Sequence, residues 1–318
     1  MKDRLHRSEL AVPGSNPRML EKAPERGADV VFLDLEDAVA PADKEQARKN
    51  IIHALKTYDW SRCSVAIRIN AVDTHWCHRD IIDIVEQTGN AVDSMLVPMV
   101  SEPSHLEFVA TLLTQLEARL GLDKINMHAL IETARGMANI EQIAQTCPER
   151  MEALVFGVAD YAASTQARVT GMGGANPNYM ILGTPDDDGN RFQHLGNMWH
   201  YPMSRLIVAC RAYGLRPIDG PFSNFNDPEG FLAHARAFAA LGGEGKWAIH
   251  PSQVELAHQV FTPSEAEETR ARNILAAMEQ AQAEGKGAVT LDGAMIDAAS
   301  IKQAEVVISK VEQIRSKG

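Results

Sequence analysis

Three scarcities narrow the field before any motif is read. No stretch of the 318-residue chain approaches the ~18 consecutive apolar residues of a membrane span. The opening Met1-Lys-Asp-Arg-Leu-His-Arg7 carries no apolar signal segment, so the expected location is cytoplasmic, with no membrane partner. Basic residues are short: 31 Lys and Arg face 42 Asp and Glu, a net charge of -11, and there is no basic tract. Nucleic acid is therefore not an expected partner, and an anionic substrate has to be held by a few local cations. Cysteine is scarce too. Cys63, Cys77, Cys147 and Cys210 are scattered without CxxC spacing, which reads as buried or inert thiols in a reducing compartment.

Familiar nucleotide signatures are also missing. The turn after the first candidate strand is Val12-Pro-Gly-Ser-Asn-Pro17, not GxGxxG, which counts against a doubly wound dinucleotide fold. Gly171-Met-Gly-Gly-Ala-Asn176 is glycine-rich, but no Gly-Lys-Ser/Thr follows it. Internal repeats and low-complexity tracts are absent.

What is present is a soluble composition, 45% hydrophobic and 23% charged, with short apolar runs alternating with helical patterns. Strands are predicted at 8–13, 28–36, 64–70, 94–100, 126–132, 153–160, 216–222 and 245–250. Helix-length segments lie between most of them, such as Leu106, Val109, Leu112-Leu113, Leu116 and Leu120 at three- and four-residue spacing. Eight βα units in about 250 residues is the count of a (β/α)₈ (TIM) barrel, whose active site lies at the C-terminal strand ends. We therefore expect an α/β fold with a barrel over 1–262 and a C-terminal module over 263–318. Residues 165–197 form a Gly/Asn/Asp-rich insertion after the sixth strand, of a kind usually functional. The module holds a helix from Ser264 to about Ala283, a glycine-rich link Glu284-Gly-Lys-Gly287, a short apolar run and an amphipathic helix from Ala298. Its apolar faces must pack on the barrel or on a neighbouring subunit.

Two carboxylates close consecutive apolar runs, Glu132 after Met127-His-Ala-Leu-Ile and Asp160 after Ala153-Leu-Val-Phe-Gly-Val-Ala. On adjacent barrel strands both reach one mouth, the donor set for a hard divalent cation such as Mg²⁺. Each alone also reads as a helix N-cap. Arg68, inside Ser64-Val-Ala-Ile-Arg-Ile-Asn70, is a charge that such a strand hides only when paired. Together these read as a metal-and-anion site. Asp34-Leu35-Glu36-Asp37 adds acids at the same mouth. Asp37 suits capping of the next helix, while Glu36 either does the same or holds metal-bound water or orients Arg68. Asp186-Asp-Asp-Gly189 lacks calcium-loop spacing, and His75-Trp-Cys-His78 reads as helix-start packing. His250 either reaches the mouth or caps the last strand.

The segments Val12-Pro-Gly-Ser-Asn-Pro-Arg18, Val31-Phe-Leu-Asp-Leu-Glu-Asp-Ala-Val39, Arg68-Ile-Asn70, Leu130-Ile-Glu-Thr133, Gly157-Val-Ala-Asp160 and Asp292-Gly-Ala-Met-Ile-Asp297 resemble the citrate lyase β-subunit-like acyl-CoA lyases of the HpcH/HpaI aldolase superfamily. Asp219-Gly-Pro-Phe222, Met198-Trp-His200, Trp247-Ala-Ile-His-Pro251 and the long insertion are similar to the malyl-CoA/β-methylmalyl-CoA branch. The resemblance implies that Glu132 and Asp160 ligate Mg²⁺ or Mn²⁺, with Glu36 and Asp37 in support. It implies that Arg68 binds the glyoxylate-derived oxygens, that Lys22 and the Asn16 position serve CoA, and that Asp297 is an acid/base on a lid. Substrates would be an acyl-CoA and a small 2-oxo acid. The lid would come from a neighbouring subunit of a homo-oligomer, a trimer or hexamer. Two positions depart from the pattern: Asn16 stands where relatives often carry arginine, and Met99 where they often carry lysine.

Overall fold

The computed structural model describes residues 4–169, 171–285 and 287–317. Of the residues read above, the first three, Thr170 in the insertion and Lys286 in the glycine-rich link lie outside that set. Eight parallel strands close into a barrel in sequence order, and the eighth pairs back to the first. They are Ser8–Pro13, Val30–Asp34, Ser64–Arg68, Ser94–Val97, Asn126–Ile131, Met151–Phe156, Arg216–Asp219 and Gly245–Ala248, referred to below as the first to eighth strands. Nearly every strand residue is buried, because the barrel interior covers one face and helices cover the other.

Side-chain parity fixes what the barrel contains. Val30, Phe32, Ala66, Leu96, Leu130, Ala153, Val155, Ile218 and Trp247 form one interior cluster, with Ala11 packed against it. Successive strand residues alternate faces, so stepping two residues on from Phe32, Ala66 and Leu130 brings Asp34, Arg68 and Glu132 inward at the C-terminal mouth. Stepping two back from Ala11 and Leu130 brings Glu9 and His128 inward at the opposite end.

The sixth strand differs from its expected span. It ends at Phe156, Gly157 turns the chain, and a helix begins at Val158. Asp160 therefore sits in the first turn of the helix Val158–Ser164, not on the strand. The seventh strand stops at Asp219 because Gly220 passes so close to strand six that a Cβ there would lie 2.1 Å from the Phe156 carbonyl oxygen. The insertion is not loop throughout. Met180–Pro185 and Arg191–Leu195 pair as an antiparallel hairpin, and Asp186 Oδ1 organises its turn by accepting the N–H groups of Asp188 and Asn190.

The chain divides into two compact units, residues 6–257 and a second that unites the N-terminal residues up to Leu5 with 258–318. In the second unit the helix Glu265–Ala283 starts with a reciprocal capping box between Ser264 and Glu267. It packs with the helix Ala298–Lys317 and a hairpin, Val289–Leu291 with Ala294–Ile296, over a small core of Ala271, Ile274, Met278, Ile296 and Ala304. The hairpin turn is Asp292-Gly293, both at positive φ (50° and 79°), the pairing a two-residue hairpin loop demands. The four cysteines are free, with Cys77 and Cys210 buried, and burial pushes the Cys77 thiol up to about 12. No described helix is long and apolar enough to cross a membrane.

Candidate active site

Arg68 is the centre of the mouth. It is 7% exposed, and its register partner across strands two and three is Asp34. Nε donates to Asp34 Oδ1 at 2.8 Å and Nη2 to Oδ2 at 2.6 Å, a two-pronged pair that fixes the plane of the guanidinium. Nη1 faces Glu36 Oε2 at 3.0 Å and Asp37 Oδ2 at 3.7 Å. These carboxylates raise the Arg68 pKa above its ordinary value despite burial, so the charge stays on. Below it, the guanidinium carbon lies 5.9 Å from the Phe32 ring and 5.5 Å from that of Trp247.

Glu132 is 3% exposed, and its Oε1 accepts the Met99 N–H at 2.7 Å. Met99 takes the left-handed region at φ 54°, costly for a side chain of that kind, and this backbone turn is what aims the N–H. Gly157 is required on the other side: a Cβ there would stand 2.4 Å from both Cβ and Oε2 of Glu132. The capping alternative is excluded for both acids. Thr133 caps the helix Ala134–Ala138 by accepting from Gly136, and Gly157 occupies the N-cap of the helix that carries Asp160.

Burial pushes Glu132 up to about 8, with Glu36 and Asp160 adding repulsion and Met99 and Arg68 opposing. Burial raises Glu36 to about 7, resisted chiefly by Arg68. Asp160, half-buried, is raised by the same cause and by Asp37. Three carboxyl groups driven toward protonation within range of one another describe a site short of positive charge. Their oxygen-only donor set fits a hard dication, which would substitute for the protons.

Glu36 is half-buried against Arg68, and a residue unmarked in the sequence positions its loop. Lys44, 6% exposed, donates to the carbonyls of Leu35 and Glu36, each at 2.7 Å, and its ammonium lies 5.6 Å from the Trp76 ring. Asp37 is exposed and caps no helix. The next helical turn, Pro41–Asp43, has Ala40 at its N-cap, so the capping expectation for Asp37 does not hold. Asp34, which pairs Arg68, was visible as an acid at the mouth. Its partnership becomes evident only once the strand register is known.

Asn16 and Lys22 line a second cavity, of about 290 Å³, together with Arg18 and Arg26. Asn16 Oδ1 accepts the Met19 N–H at 3.2 Å as the N-cap of the helix Pro17–Lys22. Arg18 and Lys22 sit four apart on one face of the helix Pro17–Lys22, and Arg26 closes the 3₁₀ turn Ala23–Arg26 that follows, so all three reach the same cavity. Near the eighth strand His250 is exposed, 2.8 Å from Ser252 Oγ through Nδ1 and stacked on Phe225 at 4.9 Å. Asp219-Gly-Pro-Phe222 packs under the insertion: a Cβ on Gly173 or Gly174 would meet Phe222, and Ser223 N–H donates to the Met172 carbonyl.

Asp297 belongs to the C-terminal unit. Its Oδ1 accepts the N–H groups of Ala299 and Ser300 at 3.0 and 3.1 Å, at the start of the helix Ala298–Lys317. Those donors hold its carboxyl below the ordinary range.

Residues 7–251 match the family model for HpcH/HpaI aldolase/citrate lyase. The chain belongs to that family. It is 46% identical over 312 residues to an L-malyl-CoA/beta-methylmalyl-CoA lyase of Cereibacter sphaeroides, covering 98% of this chain and 96% of that protein. It is 37% identical to the malyl-CoA/beta-methylmalyl-CoA/citramalyl-CoA lyase of Chloroflexus aurantiacus, covering 91% and 82% respectively. Among solved structures, CitE of Mycobacterium tuberculosis in complex with magnesium, acetoacetate and coenzyme A superposes with a TM-score of 0.75 at 25% identity, over 98% of this chain and 99% of that one. Family membership and the barrel mouth thus point to one chemistry.

Proposed function

We propose that this family member is a divalent-metal-dependent carbon–carbon lyase that reversibly cleaves (3S)-malyl-CoA to acetyl-CoA and glyoxylate, and β-methylmalyl-CoA to propionyl-CoA and glyoxylate. The single observation that carries the reading is the fixed guanidinium of Arg68 beside buried, cation-seeking carboxylates, in a chain 46% identical to a lyase of that name. Glu132 and Asp160 would hold Mg²⁺ or Mn²⁺, which would supply Lewis-acid polarisation of substrate oxygens.

The remaining work falls to the chain itself. Arg68, locked by Asp34, faces the glyoxylate-derived oxygen that carries negative charge as its proton leaves, and needs no reorientation as that happens. Such a preorganised contact is typically worth about 3 kcal/mol in the transition state. Glu36 keeps the free edge of the guanidinium in place, and Lys44 keeps Glu36 in place. As the C–C bond breaks, the substrate hydroxyl becomes the glyoxylate carbonyl and gives its proton to Asp297, the electron pair of the broken bond passes into the thioester as an enolate, and Asp297 returns that proton to the enolate carbon. In the condensation direction Asp297 abstracts the α-proton, a role suited to a carboxylate whose helix-start donors favour the anion. Arg18 and Lys22 receive the CoA phosphates at the cavity beside the first strand. The enzyme works in the cytoplasm as a homo-oligomer, trimer or hexamer, with each C-terminal unit serving as lid to a neighbour. Exposed apolar side chains such as Ile181, Phe192, Val208 and Val306 support association.

The name of the Chloroflexus relative favours a second substrate pair, acetyl-CoA and pyruvate. Offering acetyl-CoA and propionyl-CoA against glyoxylate and pyruvate, with products read by mass spectrometry, separates the readings. Malyl- and β-methylmalyl-CoA should dominate. Dominant citramalyl-CoA would move the assignment, and release of free malate with CoA from malyl-CoA would make the protein a thioesterase.

A further inference from the structure

The end of the barrel opposite the mouth holds a buried polar cluster that the lyase reaction does not use. Glu9 and His128 point inward there by strand parity, and His6 precedes the first strand. Glu152 joins them through a bulge: strands five and six pair Met127 with Met151 and then His128 with Ala153, so strand six carries one extra residue. That extra residue is Glu152, re-aimed toward His128. None of the four is more than 3% exposed.

His6 Nδ1 lies 2.9 Å from Glu9 Oε1, and its Nε2 lies 3.3 Å from Glu152 Oε1. Glu9 Oε2 accepts the Trp247 indole N–H at 3.0 Å, and Glu152 Oε2 accepts from Asn126 at 3.1 Å. His128 is different. Its Nε2 stands 3.5 Å from Glu152 Oε2, a long ion-pair contact, and among the described residues neither ring nitrogen reaches hydrogen-bond geometry. A buried imidazole with Nδ1 unmet and only a long contact at Nε2 is costly and calls for a ligand.

Each His6 nitrogen faces a carboxylate, which makes His6 an imidazolium when no metal is bound, while His128 keeps only its long contact to Glu152. A dication would give both imidazoles a bonded partner. His6, His128 and Glu152 each offer one ligand atom, and the three lie within 4.8 Å of one another. The two oxygens of Glu152 reach one imidazole each, Oε1 standing 3.3 Å from His6 Nε2 and Oε2 3.5 Å from His128 Nε2, so the carboxylate already lies between the two rings. His6 would keep its Nδ1 proton and donate it to Glu9, the histidine–carboxylate pairing that usually orients a metal ligand.

We propose that His6, His128 and Glu152 form a transition-metal site, of a donor set that zinc accepts, that clasps the segment leading into strand one to strands five and six at the N-terminal end of the barrel. It is separate from the mouth: His128 and Glu132 are four residues apart on one strand, about 13 Å. The cluster is closed, so the ion enters as the chain folds.

The test is metal analysis of the full-length chain, made without a histidine tag in zinc-supplemented medium and dialysed against EDTA. Wild-type protein should retain about one zinc per chain, and so should the Glu132→Gln/Asp160→Asn double variant. His128→Gln and His6→Gln should lose it. Because those two variants could misfold, cobalt-grown wild type gives an independent reading: visible bands of a low-coordinate Co²⁺ with nitrogen ligands, persisting in the double variant. Folded wild type without tightly held zinc or such bands overturns the proposal and leaves a proton-only cluster. Zinc that survives His128→Gln overturns it equally.

Discussion

A carboxyl group pushed up to about 8 by burial takes either a proton or a cation, and at Glu132 the two compete. Below pH 8 the cation-free protein holds a proton there, which cation binding must expel. Apparent Mn²⁺ affinity should therefore rise with pH, by up to about tenfold per unit, and level off above pH 8. Calorimetric titration between pH 6 and 9 reads this directly. Glu132→Gln should lower the affinity and flatten its pH profile, whereas a flat profile in wild type would contradict the assignment of Glu132. Gly157 provides a second residue-scale test. Gly157→Ala places a methyl group where Glu132 Oε2 now lies, forcing the carboxylate aside. It should cost about 1–3 kcal/mol of stability, seen as a lower Tm, and should weaken Mn²⁺ binding at least tenfold in the same calorimeter. Both residues were legible to different degrees. Glu132 announces itself by closing an apolar run, but nothing in the sequence says that Gly157 exists to make room for it, because that is a cross-strand contact.

At the scale of elements, the helix Pro17–Lys22 and the turn to Arg26 present three cations along one wall of a cavity. Arg18→Ala, Lys22→Ala and Arg26→Ala should each raise KM for the CoA ester about 3- to 10-fold with kcat nearly unchanged. The triple variant should also lose most of the salt dependence of KM in steady-state assays. A fall in kcat instead would place these side chains at the reacting atoms. Strands and helices are legible where the pattern is strong: seven of the eight strands lie within the apolar runs that mark them, and the sixth is shifted to Met151–Phe156. Legibility fails where structure rests on pairing. The hairpin in the insertion is closed by an Asp-rich turn that sequence reading could only rule out as a calcium loop. The bulge at Glu152 leaves no mark in the sequence, and the Asp34–Arg68 pair follows from register alone.

For the whole molecule, a lid serving a neighbouring subunit requires Asp297 from one chain to complete the mouth of another. Asp297→Ala and Glu132→Ala chains should each be inactive. Mixed oligomers, prepared by co-expression and purified on two different tags, combine an intact barrel from the first with an intact C-terminal unit from the second, and a fraction of wild-type activity should return. Verified mixed oligomers that stay inactive would show that each lid serves its own barrel. The (β/α)₈ architecture was legible because alternation of strand and helix repeats eight times; the grouping of residues up to Leu5 with the C-terminal unit was not, since it depends on a contact more than 250 positions apart. The most direct measurement on the central claim follows malyl-CoA cleavage in Mg²⁺, quantifying acetyl-CoA, glyoxylate, malate and free CoA, with and without chelator. Acetyl-CoA and glyoxylate should appear in equal amounts, with no malate, arrest by chelator and recovery on adding Mg²⁺. Cleavage undiminished in excess chelator, or malate appearing with free CoA, would contradict a metal-dependent lyase.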